Sequence, residues 1–444
     1  MRHSTIYFKK NSDMRSKKII LTNFTHAIYS ESYCIRPDTE KELIHYIAQN
    51  RPKNMLTRGV GLSYSDSCLN QDGLVIDTSR LNHFIDFDVE TGIVVCQGGT
   101  PFKDLFLLHD EFIPPVLPGT AFATVAGGIA HDVHGKNNHS AGSFGHHISW
   151  FDLLIGDQIM HCSREKNSDL FFATIAGLGL TGIITQVAIR LKKAPRQLAI
   201  KNKPFASIQE LIAEMTVYGL QQDYQVAWLD LLYSEPRSIL STANYCESPT
   251  CPDKKFKSYS LPKLPFGLIK KWNIKLFNQY FYLRQKENEI MSLTQYNNPL
   301  DKISHWNRLY GPRGLIQFQA VFDQDKAIQT INRLAEIIRA HNATPTLTVL
   351  KLFTQPGLGL LSFCRPGFTL AIDFINNPQA KKAISAMNQF MVENDGCIYL
   401  AKDLLLSPEQ YFTMYENQSK FAQILTKYRC PMRSDLATRL GIIK

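Results

Sequence analysis

Residues 118–145 read PGTAFATVAGGIAHDVHGKNNHSAGSFG. Two glycine turns with small neighbours, Pro118-Gly119-Thr120 and Thr124-Val125-Ala126-Gly127-Gly128-Ile129, lead into a loop carrying His131, Asp132, Val133, His134, Lys136 and His139. Glycine lets a backbone come close to a ligand. The stretch argues for an extended ligand lying along loops, faced by imidazole and ammonium groups. Five of the thirteen histidines fall between 131 and 147, which raises the question of a metal. His131, His134 and His139 have no carboxylate cluster or cysteine pair beside them and sit in glycine-rich loop, so no metal is expected.

Toward the N-terminus, Thr57-Arg58-Gly59-Val60-Gly61-Leu62-Ser63-Tyr64-Ser65-Asp66-Ser67 lies just before a strand. Its glycines and hydroxyls can form a nest of backbone N–H groups for phosphate or pyrophosphate oxygens. A plain glycine turn is the other reading, and this stretch alone does not choose between them. Short apolar runs at 73–76 and 92–95, bounded by Gly, Asp and Asn, predict strands. A helix opens at Glu40, with Asp38 or Thr39 as N-cap after Pro37. Residues 181–191 are β-branched and predict a strand, and Pro195 marks a boundary. The texture from about 20 to 195 is α+β rather than strict βαβ alternation.

Two apparent motifs fail on context. Gly177-Leu178-Gly179-Leu180-Thr181-Gly182 matches G-x-G-x-x-G, but the dinucleotide fingerprint needs a following helix, and here a strand follows. Gly135-Lys136 resembles a P-loop ending, yet Ala130 and Asn137 break the pattern at both ends.

From 196 to 397 the pattern changes to helices at 207–215 and 325–341 and strands at 225–232, 315–321 and 368–374. That suits a separate antiparallel sheet backed by helices. Gln317 and Gln319 share one strand face by period two, as do Lys351 and Phe353. Such amides and ammoniums suit a polar pocket wall; taken singly, an ordinary solvent-facing sheet explains each pair better. The reading divides the chain into a basic tail (1–18), a first domain (19–195), a second domain (196–397) with a basic loop at 254–286, and a C-terminal return to the first domain (398–444).

The chain has 444 residues, 44% hydrophobic and 20% charged, which describes a globular protein of two or three domains. No apolar run reaches the ~18 residues of a spanning helix, and no signal peptide is expected. Nine scattered cysteines read as reduced thiols, placing the protein in the cytoplasm. The net charge is +10, but residues 254–286 hold nine Lys or Arg and no Asp or Glu, and residues 1–18 hold six against Asp13. The remainder is mildly acidic, so no nucleic-acid partner is expected. The 254–286 stretch interleaves its cations with Phe256, Tyr259, Leu264, Phe266, Trp272, Ile274 and Phe277. That spacing suits the surface of an anionic membrane, with a solvated loop as the alternative.

Together, RGVGLSYSDS, PGT…TVAGGIAHDVHGKNNHSAGSFG, GLGLTGII, IQFQ, VLKLF and YLAKD resemble the decaprenylphosphoryl-β-D-ribose 2'-oxidase family of vanillyl-alcohol-oxidase-type flavoproteins. The likeness runs from about residue 22 to the C-terminus, and HGKNNHSAGSFG is its most specific part. It implies an α+β fold with a two-subdomain PCMH-type FAD-binding domain and a substrate domain whose antiparallel sheet is backed by helices. Residues 57–67, Gly119, Thr124 to Gly127, His131 to His134, Ile184 and Tyr399 would hold FAD. The Gly61-Leu62-Ser63 neighbourhood has no histidine, which supports non-covalent binding.

The implied reaction takes a hydride from C2' of a lipid-linked ribose to flavin N5. A separate short-chain-dehydrogenase-type reductase would complete the epimerisation to arabinose. Lys402 matches the family's active-site lysine and would bind or deprotonate the hydroxyl, aided by Tyr64 and His134. Lys136 would depress its pKa or bind the substrate phosphate. Trp228, Gln317, Gln319, Lys351 and Phe353 match pocket positions. Thr369 and Ala371 depart from the family's Asn and Cys, which puts substrate identity in doubt. An aldonolactone or sugar-alcohol oxidase is the competing enzyme, though His-Trp-x-Lys is replaced here by Tyr399-Leu400-Ala401-Lys402. A lipid-linked substrate implies cytoplasmic protein held peripherally at the inner membrane.

Overall fold

The computed structural model describes residues 14–233, 236–247 and 259–443. Most of the basic tail and the lysines at 254, 255 and 257 lie outside them. Three sheets organise the chain. The first orders its strands Lys17–Thr22, Tyr29–Ile35, Leu74–Asp77, Met55–Arg58, with the last three parallel. Helix Glu40–Asn50 covers it through Leu43 and Ile47, and Thr39 is the cap, accepting from the Glu42 N–H. The second sheet is antiparallel, in the order Phe84–Asp88, Ile93–Gln97, Ile183–Arg190, Ile148–Ile155, Gln158–Ser163. Leu154 and Ile183 from it join the core of the first sheet, so the two subdomains meet on shared apolar surface. A strand, not a helix, follows the 177–182 glycines.

The third sheet is antiparallel and eight-stranded: Asn288–Ser292, Gln197–Phe205, Arg237–Cys246, Tyr224–Asp230, Pro345–Phe353, Gly367–Ile375, Leu315–Phe322, Cys397–Ile398. Side chains alternate across a strand, so register decides the faces. Ile316, Phe318, Ala320, Leu350, Leu352, Leu370 and Ile372 point one way and are buried with the apolar sides of helices Ile208–Val217, Ala327–Ala340 and Pro378–Glu393. The opposite face carries Trp228, Val349, Ala371 and Gln319 in one row, flanked by Lys351 with Thr369 and by Asp373 with Gln317. One face is packed core; the other is polar and faces the first two subdomains.

The 254–286 stretch is not a loop throughout. Lys271–Arg284 is a helix, because after Gly267 the sequence has no further Gly or Pro to interrupt it. Among the described residues no helix is long and apolar enough to cross a membrane.

The chain's end returns to its beginning. Cys397–Ile398 completes the sheet, the Tyr399 N–H donates to the Gln319 carbonyl (2.9 Å), and the Ala401 carbonyl then accepts from Tyr64 N, Ser65 N and Ser63 Oγ, each 3.2 Å away. Helix Asp435–Arg439 follows its Ser434 cap, and Arg439 grips Asp66 through Nε (2.8 Å) and Nη2 (2.9 Å) while its Nη1 lies 3.0 Å from Asp403. Both carboxylates are buried, so removing the guanidinium strands two charges. We expect Arg439→Met to lower unfolding free energy by about 3–5 kcal/mol in a denaturant titration. A loss under about 1 kcal/mol would mean the pair is solvent-relaxed.

Candidate active site

The nest comes first. Arg58 ends its strand, and its guanidinium donates to the Cys68 carbonyl (2.8 Å) and the Thr22 carbonyl (2.7 Å). It therefore braces the loop, and Gly61, at φ +69°, sits directly against it. Gly59 packs on the Thr124 side chain in the same way. Among the described residues the N–H groups of Gly59, Val60, Gly61, Leu62 and Ser63 donate to no protein group. Thr57 Oγ1 faces Gly179 across the opening. Asp66 is committed to Arg439.

The hydroxyls continue the loop inward. Ser63 bonds to Ser65 (3.0 Å) and Ser67 (2.9 Å), and Ser67 reaches His131 Nε2 (3.1 Å). His131 Nδ1 lies 3.1 Å from the Gly127 carbonyl, so that nitrogen carries the proton. Burial and Lys402 lower its pKa and keep it neutral. Val125 is core, and the Val125 and Ala126 N–H groups bond to the Thr100 and Gly98 carbonyls. The Gly127 N–H goes to Thr124 Oγ1 (3.2 Å). This turn thus presents small side chains rather than donors. Gly119 has open space where a Cβ would stand.

Asp132, at φ +43°, accepts from Ser143 Oγ, Gly145 N and Ser362 Oγ at 2.7–2.9 Å and ties the histidine loop to the 357–362 turn. The Val133 carbonyl accepts from Phe144 N, and Ile184 is buried at the start of its strand. The histidines go separate ways: His139 to the Gln222 carbonyl, His147 to the Ala141 carbonyl and His146 to Ser143. Among the described residues no three His, Cys, Asp or Glu form a metal-binding group.

The polar sheet face closes over this nest. Tyr399 donates its hydroxyl to the His131 carbonyl (2.9 Å) and stacks on Phe363, 4.7 Å between centroids. His134 packs against Phe353 (4.8 Å), and its Nε2 lies 3.0 Å from the Gln319 amide nitrogen, which also donates to Thr369 Oγ1. With Nε2 accepting, the proton sits on Nδ1, which is buried with no protein partner. Burial, then Lys351 and Lys402, hold the ring well below the usual histidine range and neutral.

Lys402 follows the Ala401 carbonyl, and its Nζ lies 3.3 Å from the centroid of the Tyr64 ring, whose other partner is Phe24 (5.2 Å, stacked). Burial pushes its amine down to about 7, opposed by Asp373 and aided by Lys351. The depressing cation is therefore Lys351, not the Lys136 expected from sequence. Lys136 donates to the Tyr296 carbonyl and lies 4.3 Å over that ring; burial, then Lys351, lowers it to about 7. Lys351 falls to about 8, also by burial. Tyr64 is pushed well above its usual range by burial and keeps its proton.

Trp228 shares the sheet face but stands at its far side, edge-on to Phe281 (5.0 Å), beyond Val349 and the half-buried Ala371. Two residues escaped the sequence reading. Asp373, raised to about 6 by burial, accepts from Gln317 and faces Lys402 electrostatically. Its signal was a lone carboxylate on the same period-two face as Thr369 and Ala371. Phe363 had no signal, because its place depends on the 357–362 turn.

An arc of uncommitted N–H donors on an α+β scaffold suits a pyrophosphate, and the orphaned His134 Nδ1 and Gln317 Oε1 leave a polar group still to be bound between loop and sheet. The model of a FAD binding domain matches residues 32–163. The chain is an FAD-dependent oxidoreductase.

It is 30% identical to the decaprenylphosphoryl-beta-D-ribose oxidase of Mycolicibacterium smegmatis, over 92% of this chain and 93% of that protein, and it belongs to that family. Cytokinin dehydrogenase 10 of Oryza sativa subsp. japonica is 29% identical over 40% of this chain and 35% of its own. A putative D-arabinono-1,4-lactone oxidase of Neurospora crassa is 30% identical over 35% of this chain and 29% of its own.

The nest gives a direct expectation. A side chain at Gly61 meets both a positive φ and the Arg58 guanidinium. Gly61→Val should purify with most of its flavin absorbance near ~450 nm lost. Full flavin content would remove this loop from cofactor binding.

Proposed function

We propose that the protein oxidises the C2' hydroxyl of a polyprenyl-phosphate-linked pentose, such as decaprenylphosphoryl-β-D-ribose, to the 2-keto sugar. This is the first half of an epimerisation that a separate short-chain-dehydrogenase-type reductase completes. The observation that carries the reading is Lys402, buried with a depressed pKa against the Tyr64 ring at the end of the glycine nest and facing Asp373.

Oxidising an alcohol requires loss of the hydroxyl proton and of a hydride from the same carbon. FAD, when bound, supplies the redox chemistry by taking up that hydride. Residues 59–63 and the His131–Ser67 chain would hold and orient it. Lys402, neutral above about pH 7, accepts the hydroxyl proton at Nζ. The ammonium it becomes is stabilised by the Asp373 carboxylate and the face of Tyr64. His134 and Gln319 add hydrogen-bonding capacity without charge, and Phe353, Phe363 and Tyr399 exclude water around them. Lys351 and Lys136 supply cations for a phosphate. Thr369 and Ala371 make this wall less polar than the Asn and Cys of the family pattern, which bears on which pentose fits.

FAD is held without a covalent bond in this reading, supported by the lack of histidine in residues 57–67. Acid precipitation should leave the yellow colour in the supernatant; colour in the pellet would contradict it.

Lys402→Ala should keep FAD but lose about 10²–10⁴-fold in the rate at which a polyprenyl-phosphate ribose bleaches the flavin without oxygen. Because the neutral amine is the active form, the wild-type rate should rise with pH through about 7, and that limb should vanish in the variant. Normal bleaching by the variant would remove Lys402 from the chemistry. Bleaching by free aldonolactones alone would replace the substrate class.

A further inference from the structure

The helix Lys271–Arg284 is built with its polarity reversed. Its hydrogen bonds to the body come from polar side chains. Buried Asn278 donates to Asp230 Oδ1 (2.9 Å), Gln279 accepts from Arg237 Nη1 (2.7 Å), and that guanidinium lies 4.7 Å from the Tyr282 ring centroid. Away from the body, Trp272, Leu276, Tyr280 and Leu283 form one helical stripe, each 63–67% exposed. Phe277 stands exposed beside them, and Phe266 and Leu268 extend the patch into the preceding turn. A soluble helix places its apolar stripe inward, and a continuous exposed patch marks a partner.

Charge decides which partner. The described residues 259–286 carry Lys263, Lys270, Lys271, Lys275, Arg284 and Lys286 and no Asp or Glu. None of the six forms an ion pair among the described residues. A second copy of this chain would set these cations against themselves with no anion between them. Leu268, Leu276 and Leu283 offer nucleic acid neither a hydrogen bond nor a stacking face. Aliphatic and aromatic side chains among unpaired cations match the headgroup boundary of an anionic bilayer, where Trp and Tyr settle.

We propose that residues 266–284 dock the protein on an anionic lipid surface. The helix lies in the plane of the interface, with Trp272, Leu276, Phe277, Tyr280 and Leu283 below the phosphates and the lysines among them. Phe281, on its inner side, touches Trp228, which shares its sheet face with Ala371 and Gln319. Docking thus brings that end of the pocket to the membrane. The docking itself does not depend on the substrate proposed above.

The test is co-sedimentation of the FAD-loaded protein with vesicles of phosphatidylcholine alone or mixed with phosphatidylglycerol. The protein should pellet with the mixed vesicles and be released by salt. Trp272→Ser with Leu276→Ser and Leu283→Ser should weaken binding by at least about tenfold, and Lys270→Gln with Lys271→Gln and Lys275→Gln by about a hundredfold. Both variants change exposed side chains and should keep their flavin spectrum and melting temperature. Unchanged binding by either variant, no binding to mixed vesicles, or a dimer that the apolar variant dissolves would overturn the proposal. Bleaching by detergent-dispersed substrate is measured separately, so a failure of docking is distinguishable from a failure of the proposed chemistry.

Discussion

Arg439 holds the site together. Its guanidinium bridges Asp66, at the end of the glycine nest, and Asp403, the residue after Lys402. A half-buried cation between two buried carboxylates is net favourable only when its geometry is good. Here the other donors also find partners: Nη1 reaches the Leu406 carbonyl (2.8 Å), and Asp403 takes the Leu405 and Leu406 N–H groups. One residue from the C-terminal helix therefore fixes the distance between the loop that suits the cofactor and the turn that carries the lysine. The three bonds into the Ala401 carbonyl set the same register from the other side. Few degrees of freedom remain between Tyr64 and Lys402, which is why the amine can rest on the ring.

The second constraint is the pleat. Period two sends Ile316, Phe318, Ala320, Leu350, Leu352, Leu370 and Ile372 to the helices and Gln317, Gln319, Lys351, Thr369 and Asp373 to the pocket. Lys351, Asp373 and the two glutamines reach the pocket from rigid strands rather than loops, while Lys402 and His134 come from turns pinned by hydrogen bonds. Burial does the rest. It lowers Lys402, Lys351 and Lys136 and raises Asp373, so ammonium and carboxylate sit within reach of neutrality near physiological pH.

Much of this was legible in the sequence, for identifiable reasons. The glycine loops stood out in the sequence because close approach, and at Gly61 a positive φ, leave few other residues able to stand there. The strand-face pairs at 317 and 319 and at 351 and 353 followed from alternation alone. What did not read was long-range. Arg439 lies in the segment read as returning to the first domain, but nothing local names Asp66 as its partner 373 positions away. Asp373 was visible in its strand, yet its electrostatic influence on Lys402 depends on where the C-terminal turn lands. The 254–286 stretch was read from its charge as a loop, and its helix and reversed polarity appear only when the Asp230 and Arg237 side chains are seen to claim Asn278 and Gln279.

In the proposed reaction, burial makes the Lys402 amine a base at neutral pH. The direct measurement is its own titration in the FAD-loaded protein, by competitive amine labelling across pH read residue by residue in a mass spectrometer. Half-maximal reactivity of Lys402 is expected near pH 7, well below the ordinary lysine range. A midpoint near the ordinary lysine value of about 10.4 would contradict it.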